Sequence, residues 1–404
     1  MTKALIGCYG NFRTLPEVPF VLKKGGCNVV DILCSGESSL LRNSYYDNWI
    51  RYDKDKEDYA NKLIAVAEHN NYDWIILGDE HILKLMNERI TSESVFKKMM
   101  PLIKIENRMI LSSKVGLSDV CERLSITTPR YLVIKGIDEI TEATFKLRFP
   151  VLVKQDVSTG GQGIFFCNNN EELYHTIKNN TGITKAIIQE YIKGRDIGVE
   201  ALYKNGQLLT YNVSEVLEYL DGRFGTTTKR KYLNNIELEI LLVELGQKVG
   251  INGFASIQYI YDERNRVYYL IEADLRPNIW VAASRFTGND FSTGVRRFLG
   301  LLPITPECYK PVAGYNKSVE VLLFNRDLVR CFKKKKFGQF LRWFIDPTLW
   351  KFIPAYDGKL LRYQLVNTLK DIWAIMIVYL KTHLGKKKDR RIRSKQVMPS
   401  GVNY

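Results

Sequence analysis

An α/β unit, followed by an α+β unit built on antiparallel sheets and then by a basic helical extension, is the fold class predicted by this chain of 404 residues. Three observations carry that expectation. The opening hundred or so positions alternate apolar strand and helix signals. From Phe149 to Glu272 the pattern changes to strands joined by tight loops, which is the mark of antiparallel pairing. After Gly300 lysine clusters alternate with aromatic-rich stretches, and the charge of the whole molecule gathers there.

The first unit starts with the apolar strand Ala4-Leu-Ile-Gly-Cys-Tyr-Gly10, a turn, a helix from Pro16 to Lys24 closed by Gly25-Gly26, and the strand Asn28 to Leu33. The Gly7-x-x-Gly10 turn lacks the full G-x-G-x-x-G dinucleotide fingerprint, so its glycines are read as turn formers. A helix over Lys56 to Asn70 precedes Tyr72-Asp-Trp-Ile-Ile-Leu-Gly-Asp-Glu80, a buried strand ending in acids. An open parallel sheet places its ligand crevice at such a strand end. A helix from Ser112 to Leu124 and a new strand after Ile126-Thr-Thr-Pro129 mark a boundary. In the next unit the helix signals fall at Asn170 to Asn179 and Ile236 to Gly250.

Three elements of this second unit carry chemistry. Phe149-Pro-Val-Leu-Val-Lys154 is a strand with a lysine, followed by the glycine-rich loop Ser158-Thr-Gly160-Gly161-Gln-Gly163. Glycines let backbone N–H groups approach phosphate oxygens while the lysine supplies a point charge, although a plain hairpin turn satisfies the same pattern. Next, Ile187-Ile-Gln189-Glu190-Tyr191-Ile192-Lys193-Gly194-Arg195-Asp196-Ile-Gly-Val-Glu200 runs from an apolar strand into a polar turn and then to acids. It suits an adenosine pocket, or a hairpin with surface acids. The third element, Phe254 to Asn278, reads as a hairpin with Gln258 on one strand and Glu272 and Asp274 two apart on the other, so both carboxylates face one side. Oxygen-only donors of this kind suit Mg²⁺ bridging phosphates rather than zinc or iron, and Arg276 is spaced to neutralise a phosphoryl group in transfer.

Taken in order, these elements resemble the ATP-grasp superfamily, most nearly the ATP-binding halves of carbamoyl-phosphate synthase large subunits, from about Lys114 to Gly300. The Gln258 to Glu272 interval, the run into E-x-[ND]-x-R, and Ala283-Ser284-Arg285-Phe286-Thr287-Gly288, similar to the family's A-S-K-x-T-G, carry that likeness. The resemblance implies an ATP-grasp fold over 112–305, with a small lid subdomain over 126–195 and a larger one over 196–305. An α/β pre-ATP-grasp domain over 1–111 would precede it and a basic helical extension over 306–404 would follow. It also implies ATP and Mg²⁺, with Mn²⁺ as a substitute. Lys114 and Lys154 would touch phosphates under the loop of Ser158, Gly160, Gly161 and Gly163. Gln189, Glu190 and Ile192 would line the adenine pocket, and Asp196 or Glu200 would hold ribose. Gln258, Glu272 and Asp274 would hold the metal, Arg276 with Lys154 would serve the reacting centre, and Lys229 and Arg230 lie where a phosphate- or substrate-contacting strand is expected, or else in a basic loop. One departure stands out: the family usually has Asn where this chain has Asp274. The implied activity is an ADP-forming carboxylate-amine ligase working through an acyl phosphate, on an amino acid or a glycan- or lipid-linked precursor. The alternatives are a bicarbonate-dependent carboxylating enzyme and a nucleotide-binding module without turnover.

Composition bounds the remainder. An apolar content of 45%, with 28 glycines and 12 prolines, excludes disordered, collagen-like and mucin-like chains. Residues 326–404 hold 19 of the Lys and Arg residues against 5 acidic ones, so nearly all of the net +15 resides there. Such segregation suggests a peripheral contact with an anionic membrane, or else a solvated tail, a helical cap or a homodimer contact. Nucleic acid is disfavoured because no recognition motif accompanies the charge. Seven cysteines without a C-x-x-C pair argue against a disulfide framework and a zinc site. His69, His81, His175 and His383 are scattered and read as structural or exposed. No apolar run approaches the roughly 18–20 residues needed to cross a bilayer, and Met1-Thr-Lys-Ala-Leu-Ile-Gly has no signal-peptide profile. The expected location is cytoplasmic, with a peripheral position at the inner membrane face as an extension of the basic segment's role.

Overall fold

The computed structural model describes residues 1–10, 13–111, 113–135, 146–156, 163–180, 185–222, 225–310 and 318–395. Two compact units divide the chain, Met1–Val321 and Leu322–Tyr404.

The first unit opens with β1 (Lys3–Cys8), α1 (Val18–Lys24), β2 (Val29–Cys34), β3 (Asn48–Arg51), α2 (Lys56–His69), β4 (Trp74–Leu77), α3 (Glu80–Arg89) and α4 (Glu93–Met99). Its strands form a parallel sheet in the order β3-β2-β1-β4. β1 and β2 are buried on both faces, which is why their sequences are nearly continuous apolar runs. Asp79 joins the ends of β1 and β4: one carboxylate oxygen caps α3 through Ile82 N and the other accepts from Tyr9 N at 2.6 Å. The turn after β1 is thus closed by a carboxylate, in keeping with turn glycines rather than a dinucleotide loop.

After α5 (Lys114–Arg123) come β5 (Tyr131–Ile134), β6 (Val151–Gln155), β7 (Ile164–Cys167), α6 (Asn170–Asn179) and β8 (Ala186–Glu190). These strands make a small antiparallel sheet in the order β5-β8-β6-β7, packed on α6 through Leu173 and Ile177. There follow β9 (Arg195–Lys204), β10 (Gln207–Tyr219), β11 (Thr227–Leu233), α7 (Ile236–Val249), β12 (Gly253–Asp262), β13 (Val267–Asp274), α8 (Phe291–Phe298) and β14 (Val319–Leu322). Their strands form a six-stranded sheet in the order β13-β12-β9-β10-β11-β14. The start and stop of α7 are local: Asn235 accepts from Leu238 N, and Gly250 leaves the helix in the left-handed region at φ 81°.

The parallel sheet and the large antiparallel sheet share their cores. Leu5, Leu33 and Ile75 pack in one cluster with Tyr203, Leu242 and Ile257. On the other side the Trp74 ring stacks on Phe298 at 3.9 Å and on Phe254 at 5.0 Å. The sequence boundary near residue 112 therefore separates two folding patterns that bury one continuous interior.

The second unit is helical: α9 (Phe324–Lys333), α10 (Phe337–Ile345), α11 (Pro347–Trp350) and α12 (Gly358–Lys395). Asp327 organises it, accepting from Arg330 at 2.7 Å and from the Trp343 indole at 2.9 Å.

Candidate active site

The centre of the site is the β12–β13 ladder. Gln258 lies directly opposite Glu272, and Ser256 opposite Asp274, in antiparallel register, so period-two alternation puts all four side chains on one face of the large sheet. The same face continues across β9, where Gly198 pairs with Gln258 and Glu200 with Ser256. A register shift after Gln258 bends the ladder immediately beside the donors. Among the described residues no group of three or more His, Cys, Asp or Glu is placed to hold a metal by itself. The set offered is two carboxylates and an amide. That chemistry fits a hard divalent cation shared with phosphate oxygens.

The lysines come from the small sheet and from α5. Lys154, on β6 and only 7% exposed, donates to Gln189 Oε1 at 2.7 Å. Lys114 is the first residue of α5, and that helix start is fixed to the end of β6 by one carboxylate. Asp156 Oδ1 accepts from Ser113 Oγ at 2.7 Å and from Val115 N at 3.0 Å, while Ser113 Oγ caps Gly116 N. Nothing in the local sequence marks this link, because Ser113 and Asp156 are distant in the chain.

Electrostatics tie these groups together. Burial lowers the Lys154 ammonium to about 8, with Lys114 adding to the fall and Glu272 opposing it. Burial, reinforced by Asp274, pushes the Glu272 carboxyl well above the ordinary carboxylate range, against the pull of Lys114, Lys154 and Arg276. A dication between Glu272 and Asp274 would relieve that repulsion. Arg276 donates to Asp274 Oδ2 at 2.8 Å. Burial pulls its guanidinium down, but Asp274, Glu80 and Glu272 outweigh this and hold it above its usual value. Glu80, the first residue of α3 just past β4, is raised by burial and then by Asp274, so this helix start reaches the carboxylate cluster.

Other sequence candidates are placed differently. Glu200 is 1% exposed and committed to an internal ion pair with Arg230 at 2.7 Å, with Asn278 Nδ2 at 3.2 Å on the same oxygen. Oε1 of its carboxylate is therefore taken up inside the sheet while Oε2 is buried without a hydrogen-bond partner among the described residues, whereas Asp196 at the start of β9 is half-buried and accepts from the Tyr219 hydroxyl. Lys229 pairs with Glu320 at 2.5 Å, and alternation along β11 turns it away from the face that Arg230 occupies. Arg230, not Lys229, is the β11 cation on the carboxylate face. Gly198 permits this, because a Cβ there would come within 2.7 Å of Arg230 Nη1. The guanidinium also covers the Trp280 ring at 4.5 Å.

At the end of β8, Glu190 N donates to Arg130 O at 2.8 Å, its carboxylate accepts from Arg148 N at 2.9 Å, and half-buried Ile192 follows in the turn. Gly163 closes the β6–β7 hairpin by accepting from Gln155 N at 3.0 Å, at φ 70°. Ser158, Gly160 and Gly161 lie outside the described residues. The motif at 283–288 is structural in part: Arg285 pairs with Glu17 at 3.0 Å, and Ser284 Oγ accepts from Phe291 N.

The chain is similar to known proteins over the same segment. A family model for the ATP-grasp domain matches residues 111–278. The carbamoyl phosphate synthase large chain of Clostridium botulinum (strain Loch Maree / Type A3) is 29% identical over 198 residues, 44% of this chain but only 18% of that protein's length. The chain thus spans less than a fifth of that curated relative. Among solved structures, N5-carboxyaminoimidazole synthetase from Staphylococcus aureus with ADP superposes with a TM-score of 0.60 at 16% identity, covering 84% of this chain and 87% of that one. The biotin carboxylase domain dimer of Hydrogenobacter thermophilus 2-oxoglutarate carboxylase, with MgADP, ADP and bicarbonate, gives 0.57 at 18% identity, covering 77% and 72%.

Proposed function

The chain carries an ATP-grasp domain over residues 111–278, and on that premise we propose that it is an ATP-dependent, ADP-forming ligase joining a carboxylate to an amine through an acyl phosphate. The observation that carries the reading is the Gln258–Glu272 register with Asp274 beside it, within electrostatic reach of Lys114 and Lys154. An acid pair among cations suits a metal–polyphosphate complex better than either ligand alone.

In this reaction a substrate carboxylate oxygen attacks the γ-phosphorus as the bond to the ADP oxygen breaks. The amine nitrogen then attacks the acyl carbon, inorganic phosphate leaves with the C–O bonding pair, and the amine gives its proton to solvent. No protein nucleophile takes part; positioning and charge neutralisation do the work. Glu272, Asp274 and Gln258 would hold Mg²⁺, for which Mn²⁺ can substitute. When bound, the cation neutralises phosphate oxygens in flight. Lys154 and Lys114 orient the polyphosphate. Arg276, half-buried at the end of β13, exchanges its Asp274 partner for the transferring phosphoryl group.

Bicarbonate as the carboxylate is a second reading, favoured by the bicarbonate named with the Hydrogenobacter domain. It changes the acyl donor, making the phosphorylated species a carboxyphosphate, and leaves the amine as acceptor. All seven cysteines are free thiols, the state kept in a reducing compartment, and a cytoplasmic location belongs to the proposal.

ADP release from Mg·ATP is the test, run with pools of amino acids, sugar acids and bicarbonate, and with Glu272→Ala alongside. Pool-dependent release that the substitution abolishes supports the ligase. Tight Mg·ATP binding with no release in any pool would instead make the chain a non-catalytic nucleotide module.

A further inference from the structure

One stretch of α12 buries and exposes the opposite of what is expected for a helix on an aqueous surface. On α12, Gln364, Asn367 and Thr368 are buried, while Leu365, Leu369 and Trp373, an i, i+4, i+8 stripe, face outward. Leu369 is 67% and Trp373 63% exposed. Asn367 and Thr368 meet their needs by donating to the carbonyls of Tyr363 and Gln364, so the helix tolerates a polar inner face. α10 and α11 add outward Phe344, Ile345 and Trp350 to the exposed apolar surface. Exposed apolar surface on this scale marks an interaction site.

Cations accompany it. The Lys333–Lys336 run joins α9 to α10, and Lys335 Nζ stands 4.9 Å over the ring of Tyr379 on α12. The basic loop therefore borders the apolar face, and Lys370 and Lys381 continue the charge along the same helix in sequence.

From this arrangement we infer that α10 to α12 form a docking surface for an anionic lipid bilayer, with tryptophan, phenylalanine and leucine entering the interface and lysines meeting the headgroups. Charge selects that occupant. A second copy would bring two segments of 19 basic and 5 acidic residues together, whereas anionic headgroups neutralise one. No helix among the described residues is long and apolar enough to cross a membrane, so the contact lies along the surface.

Sedimentation of the full chain with phosphatidylcholine vesicles, and with mixed phosphatidylcholine–phosphatidylglycerol vesicles, tests this. The expected result is capture by the anionic vesicles only, weakening as salt rises. A Leu369→Glu/Trp373→Glu double variant should lose affinity by about tenfold or more, as should conversion of Lys333–Lys336 to glutamine, with far-UV circular dichroism and Mg·ATP binding unchanged. Indifference to both vesicle types overturns the inference, and so does wild-type capture of both variants. A salt-resistant dimer lost in the Leu369→Glu/Trp373→Glu variant would also overturn it, by assigning the face to a second copy. Retention on nucleic acid without vesicle binding would do the same in favour of a polynucleotide.

Discussion

The ammonium of Lys154 rests on the side-chain oxygen of Gln189, 2.7 Å away, inside the small sheet. A residue expected to read adenine thus supports the lysine expected to touch phosphate. Gln189→Leu would leave the Lys154 ammonium buried without that acceptor, at a cost of about 1–3 kcal/mol. Chemical denaturation should show that loss, together with a raised KM for ATP. A variant with unchanged stability and KM would remove Gln189 from this role.

Two groups bracket the pH profile. As pH falls, Glu272, whose carboxyl is held above the ordinary range, takes up a proton and would release a cation bound there. As pH rises through about 8, Lys154 loses its charge. Mg·ATP affinity measured by calorimetry should therefore peak between those limbs. Lys154→Arg, which stays charged at all such pH values, should flatten the alkaline limb. Persistence of that limb in the variant would assign it to another group.

Asp274 raises its neighbour Glu272 and binds Arg276. Asp274→Asn should therefore move the acid limb to lower pH and release the guanidinium. Magnesium titrations at several pH values would show the shift, and an unmoved limb would break the link between the two carboxylates.

Glu200 and Arg230 are both fully buried, so removing one partner leaves an uncompensated charge. Arg230→Met should destabilise the fold by about 3–5 kcal/mol, while the double variant Arg230→Met/Glu200→Leu should recover most of that. Urea unfolding of the four proteins in the cycle gives the coupling directly, and additive losses would mean that the pair is not a unit.

Much of this was legible locally. The bounds of α6 and α7 follow from Asn169, Asn235 and Gly250, whose capping chemistry lies within a residue or two of each helix end. The Glu272 and Asp274 pairing follows from strand alternation, because a hairpin returns through a short turn and its register has little freedom. Lys229 and Arg230 show where local reading stops. Which of two adjacent cations faces the site depends on the parity of β11 against β10, and that pairing carries two register shifts. Glu200 was ambiguous for the same reason: its partner lies on a strand two places away in the sheet. The polar inner face of α12 left no periodic signal, since Gln, Asn and Thr read as solvent-facing wherever packing is unknown.

The carboxylate of Asp156 has a mechanical consequence. It belongs to the strand segment that carries Lys154 and also holds the first turn of the helix that carries Lys114. The helix start that carries Lys114 is therefore tied to the strand end that carries Lys154 by a single side chain. Losing that one carboxylate would untie both lysine-bearing segments from each other at once.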